Sequence, residues 1–105
     1  MKKFDIIFIE EAKKDYKRLD GSEKKFVDIA LAKMEQRADE IGEDLTNNLI
    51  GCRKIKFRKI GIRIVYRMIG NKTEIVEIIA IGKRKSNEVY ENAFKRLKNN
   101  KNTFR

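Results

Sequence analysis

The chain has 105 residues, a length that fits one domain and leaves no room for a second independent core. Apolar residues make up 41% of it and charged residues 40%, so a small core must sit beneath a heavily charged surface. Apolar runs reach only about four residues, whereas a membrane-spanning helix needs roughly 20, so a span is excluded. Met1-Lys2-Lys3 looks like the start of a secretory leader, but Asp5 follows at once and Glu10-Glu11 closes the apolar stretch 6–9, so the chain reads as cytoplasmic. Cys52 is the sole cysteine and there is no histidine, which excludes an internal disulfide, a typical zinc site and catalysis by histidine. No cofactor is expected.

Residues 3–9 are short, apolar and β-rich and predict a first strand; Ala12, Tyr16 and Leu19 then recur at helical spacing. Asp20 with Glu23 fits a capping box, and Phe26, Ile29, Ala30, Met34 and Ala38 predict the apolar stripe of a second helix to about Asp39. Residues 40–52 have loop composition, with Leu45 and Leu49 as anchors to the core. The period then changes to two. Ile55 and Phe57 alternate with Lys54, Lys56 and Arg58, giving a strand with one apolar and one cationic face. A turn at 59–61 leads to a second β-rich run, 62–69, with Arg63 and Arg67 on one face, and Gly70-Asn71-Lys72 signals a hairpin into a third run, 74–81. After Gly82, Ser86 fits a cap for a last helix whose stripe is Val89, Tyr90, Ala93, Phe94 and Leu97. A polar tail, frayed from 98 to 105, follows. The order β-α-α-β-β-β-α predicts a single α+β domain over 1–105, with a helical hairpin and a C-terminal helix packed on a small antiparallel sheet.

Charge is unevenly placed. Residues 1–52 hold 10 Lys or Arg against 12 Asp or Glu, while residues 53–105 hold 16 against 4. Seven cations and no acid fall between 53 and 67. Such a field attracts a polyanion: nucleic acid first, an acidic protein or an anionic membrane surface behind it. If the two strands form a hairpin, Lys54, Lys56 and Arg63 share a face, with Arg84 just past the third strand and Tyr90 one turn into the last helix. That set suits RNA cleavage by the neighbouring 2′-hydroxyl. Crowding by like charge lets a lysine give up its proton and act as a base; Arg63 serves as an electrostatic clamp, Arg84 as a clamp or assisted acid, and Tyr90 as a base-stacking ring. Arg53, Arg58, Lys59, Arg67, Lys83 and Lys85 are the surrounding candidates for RNA contact. The plainer alternative makes each lysine a solvated strand residue and Tyr90 a core ring with its hydroxyl at the edge.

Three stretches sharpen the choice: Cys52-Arg53-Lys54-Ile55-Lys56-Phe57-Arg58, Gly61-Ile62-Arg63-Ile64-Val65-Tyr66, and Ile81-Gly82-Lys83-Arg84-Lys85-Ser86-Asn87-Glu88-Val89-Tyr90. Together they resemble the core of the RelE branch of the RelE/ParE toxin superfamily, over about residues 49–97. The resemblance implies a bacterial or phage type II toxin, a metal-independent endoribonuclease that cuts mRNA in the ribosomal A site and is held inactive by a cognate antitoxin. It implies Lys54, Lys56, Arg63, Arg84 and Tyr90 as the catalytic set, with the ribosome's rRNA, the mRNA and the antitoxin as partners and no membrane. The chain departs from the pattern in a shorter connection before Lys54 that lacks the family's common proline, and in the apolar Ile60. The competing functions are a toxin of the same fold that poisons DNA gyrase or another protein target, and a catalytically silent nucleic-acid or antitoxin-binding module.

Overall fold

The computed structural model describes residues 3–69, 75–83 and 88–99. Strand β1 (Asp5–Phe8) runs into helix α1 (Glu10–Lys17), and α2 (Gly21–Arg37) follows after a short break. Asp20 and Glu23 form the expected capping box: the Asp20 carboxylate accepts from the Glu23 N–H at 2.8 Å, and the Glu23 carboxylate accepts from the Asp20 N–H at 2.9 Å. A two-residue strand β2 (Glu43–Asp44) and a 3-10 turn (Asn47–Leu49) occupy the expected loop. Strands β3 (Cys52–Phe57), β4 (Ile62–Ile69) and β5 (Ile75–Lys83) form the meander, and α3 (Glu88–Asn99) closes the fold. Helix α3 extends two residues past the point where a frayed tail was expected. The hairpin signal at 70–72 and the cap at Ser86 lie outside the described residues.

The α+β class, the helical hairpin and the C-terminal helix match the expectation, but the sheet is mixed rather than antiparallel. Its order is β1-β5-β4-β3-β2, with β1 parallel to β5 and the other pairs antiparallel. The α1–α2 hairpin is the reason: it carries the chain from β1 to the far edge, so the returning meander brings β5 alongside β1 in the same direction.

Each sheet face buries its own cluster. One face packs Ile62, Ile64, Tyr66, Val76 and Ile78 against Ala12, Val27, Ala30 and Met34 of the hairpin. The other packs Cys52, Val65, Ile79 and Ala80 against Val89 and Ala93 of α3. The buried stripe of α2 is rotated from the expected one. Glu23, Val27, Ala30 and Met34 face inward, while Phe26 and Ile29 are 41% and 50% exposed, because the 3.6-residue period that keeps Ala30 and Met34 inside selects Val27.

Two devices fix the site's surroundings. The first is a bulge: Val65 pairs with Ala80 but Tyr66 pairs with Ile78, leaving Ile79 unmatched. Ile79 and Ala80 therefore both face α3, and the alternation of β5 resumes inverted, with Gly82 opposite Arg63. A Cβ at Gly82 would stand 3.1 Å from the Val89 Cβ, so the missing side chain is what lets the start of α3 lie against the sheet there. The second is Tyr66, fully buried, whose hydroxyl donates to the carbonyls of Ile41 and Ala38 at 2.7 and 3.0 Å. Burial pushes that hydroxyl's pKa up, keeping it a donor. Gly42, at φ 85°, passes so close that a Cβ there would overlap the tyrosine oxygen. This anchors the end of α2 and sets β2 beside β3.

Candidate active site

Strand alternation brings three of the expected residues together. Lys56 pairs directly with Arg63 across β3 and β4, and Lys54, two residues back, pairs with Val65, so all three project from the face that α3 partly covers. Helix α3 supplies the ring. Arg63 Nη1 donates to the Tyr90 hydroxyl at 3.2 Å, and its guanidinium carbon lies 5.8 Å from the ring centroid. Lys54 Nζ is 5.6 Å from the same centroid, a cation–π distance. Tyr90 also packs on the buried α3 cluster. The ring thus packs on the core while its hydroxyl reaches the cationic face.

Lys54 and Lys56 are about four-fifths buried along their side chains, which confines the ammonium groups without isolating them from water. Beside them Lys56, Arg58 and Arg63 line an open cleft of about 310 Å³ with Gly61, a size and charge suited to a phosphodiester. Lys59 is exposed in the adjoining turn. Arg84 and Lys85 lie outside the described residues, in the segment between Lys83 and Glu88.

Other cations are directed elsewhere. Arg53 Nη1 donates to the Asp39 and Ile41 carbonyls at 3.1 and 3.3 Å, and its Nε lies 3.4 Å from Asp44, so it closes the end of α2. Arg67 pairs at 2.8 Å with Glu77, which is 1% exposed. Lys83 lies opposite Ile62 on the hairpin side of the sheet and meets Glu23 at 3.0 Å. All three pair within the fold.

Sequence reasoning missed Glu43. Its carboxylate stands 3.6 Å from both Lys54 Nζ and Lys56 Nζ, placed by the β2 pairing of Glu43 with Lys54. The lysine crowding suggested by the sequence is therefore offset by one shared anion. Two residues are too few to read as a strand, and the acidic Glu43-Asp44 pair in a loop was the only signal available.

Residues 6–88 match the family model of the ParE toxin of the type II toxin–antitoxin system parDE. The chain is 32% identical over 90 residues to the mRNA interferase toxin RelE of Escherichia coli K12, covering 86% of this chain and 93% of that protein. Among solved structures, a double-arginine variant of E. coli RelE in the free state superposes with a TM-score of 0.73 at 30% identity, covering 92% of this chain and 99% of that one. A similar variant bound to an antitoxin RelB peptide gives 0.69 at 27% identity, covering 87% and 94%.

Proposed function

We propose that this chain, which belongs to the ParE toxin family of type II toxin–antitoxin systems and stands with its RelE relatives, is an endoribonuclease that cuts mRNA on the ribosome and thereby inhibits translation. The observation that carries this reading is the convergence of Lys54 and Arg63 on Tyr90, with Lys56 beside Arg63 on the same strand face.

The reaction is transfer to the 2′-oxygen. A base takes the 2′-hydroxyl proton, the oxygen attacks the adjacent phosphorus, and the 5′-oxygen leaves with a proton, giving a 2′,3′-cyclic phosphate and a 5′-hydroxyl. One of Lys54 and Lys56 holds the phosphate while the other, as the free amine, takes the 2′-hydroxyl proton once the incoming phosphate has displaced Glu43 from the pair. Arg63 cannot readily lose its proton and stabilises the charge that gathers on the phosphorane. Its bond to the Tyr90 hydroxyl fixes the ring on which a nucleobase stacks. Arg84 is assigned the departing oxygen. The shelf is shallow and open, so it aligns a flexible RNA poorly; a decoding site holds the strand and supplies that alignment.

The regulator is a cognate antitoxin, as the RelB complex of E. coli RelE suggests. An acidic segment that covers the cationic face, or displaces α3 and Tyr90 with it, would silence the site. The ParE name of the family model is the one observation favouring a gyrase poison; the RelE relatives and the assembled cations weigh against it. Primer extension on mRNA after brief induction separates the two: breaks inside codons support the ribonuclease, whereas DNA breaks with intact mRNA contradict it.

A further inference from the structure

Tyr90 forms a wall of two sites. One is the cationic shelf; the other is a cleft of about 330 Å³ between the Asn47–Leu49 turn and α3, walled by Leu49, Tyr90 and Phe94 and rimmed by Thr46, Asn47 and Asn48. Asn47 takes the left-handed conformation at φ 55°, which an asparagine tolerates, and the turn it makes holds both amides at the rim. These amides and the Thr46 hydroxyl make no hydrogen bonds within the described residues and remain available to a ligand.

We propose that this cleft is the base-reading subsite of the enzyme: it takes the nucleobase next to the scissile phosphate, stacks it on the aromatic wall that Tyr90 and Phe94 form on α3 and reads its edge with Asn48. The inference rests on the ribonuclease reading and adds to it the determinant of codon preference. Three features select a nucleobase over a purely apolar occupant. Two of the three wall residues, Tyr90 and Phe94, are flat aromatic rings, which accept any base π-face. Beside Glu91 and Lys95, the rim carries two neutral amides that offer both donors and acceptors, the groups that distinguish one base edge from another. Tyr90 joins the cleft to Lys54 and Arg63, so a phosphate seated on those cations brings its own nucleoside to the cleft mouth.

The test uses the full chain and ribosomes programmed with mRNAs that differ only in the A-site codon, read by single-turnover cleavage. The wild-type protein should discriminate among bases at one codon position. Asn48→Ala should flatten that discrimination by about fivefold or more while leaving the other two positions as they were. Phe94→Leu, which keeps the core filled, should raise half-saturating concentrations roughly fivefold or more for every base, because stacking is lost whatever the base. Thermal melts confirm that both variants fold. An unchanged base profile in Asn48→Ala or an unchanged half-saturating concentration in Phe94→Leu overturns the proposal, as does a wild-type enzyme that cuts all codons equally. A loss confined to antitoxin binding also overturns it, by giving the cleft to an apolar side chain of that partner. If the wild-type protein cuts no codon at all, the ribonuclease reading fails and this inference with it.

Discussion

Asp15→Ala should be the most damaging single change outside the site. Asp15 on α1 is 8% exposed, and Arg96 on α3 reaches it with both terminal nitrogens, Nη2 donating to Oδ1 at 3.1 Å and Nη1 donating to Oδ2 and to the Ile79 carbonyl. The carboxylate also accepts from the Ile81 N–H at 3.0 Å. The pair substitutes for a strand: β1 stops pairing at Phe8 opposite Ile78, and beyond that point Asp15 and Arg96 satisfy the free edge of β5. Deleting the carboxylate removes the two-pronged Arg96 pairing and orphans a buried N–H, which alone costs about 1–3 kcal/mol. Breaking such a pair from one side costs about 3–5 kcal/mol in all, against a total of about 5–15 for a domain of this kind. With a urea m-value of about 2 kcal/mol/M, the midpoint should fall by roughly 2 M. Hydrogen exchange should quicken first in α3, whose C-terminal half the pair holds down. A loss below about 1 kcal/mol in urea unfolding would refute the reasoning.

Glu43→Gln should tighten binding to a single-stranded RNA oligonucleotide roughly threefold or more and steepen its salt dependence by up to about 1.4 in the log–log slope, about 0.7 for each of the two lysines released to phosphate; an unchanged slope in a salt titration would count against it. Gly82→Ala should cost about 1–3 kcal/mol by pressing on Val89 and should slow cleavage roughly tenfold by shifting Tyr90 from Arg63, measured by denaturation and single-turnover assay side by side. Burial pushes the Cys52 thiol up, so the folded chain holds that proton more tightly than the unfolded chain does. The resulting stability is present below the ordinary thiol range, roughly 8.5, and is lost as pH rises through it; at pH 8 a disulfide reagent should label Cys52 only after denaturant is added.

Much of the site was legible because strand alternation is strict. Lys54, Lys56 and Arg63 fall on one face whatever else the fold does, provided the 58–61 turn fixes the register, and Tyr90 follows from the stripe of α3. What sequence could not show is which partner each charge finds. Arg53 and Arg67 look like members of one cationic run, yet backbone carbonyls at the end of α2 and a buried Glu77 take them up through contacts distant in the chain. Glu43 entered the site by a pairing of two residues, and the Asp15–Arg96 pair joins positions 81 residues apart. The bulge at Ile79 is equally silent: four consecutive apolar residues, 78–81, carry no alternation from which an insertion could be read.

The Lys54, Lys56, Arg63 and Tyr90 shelf is proposed to perform 2′-oxygen transfer on mRNA held by a ribosome. End-group analysis of an mRNA incubated with purified protein and programmed ribosomes tests it most directly. The account predicts a cut within the A-site codon that bears a 2′,3′-cyclic phosphate and a 5′-hydroxyl, is slight on naked RNA, and falls about 100-fold or more with Arg63→Ala at saturating ribosomes. A cut bearing a 5′-phosphate, equal cutting of naked RNA, or full activity in Arg63→Ala would contradict it.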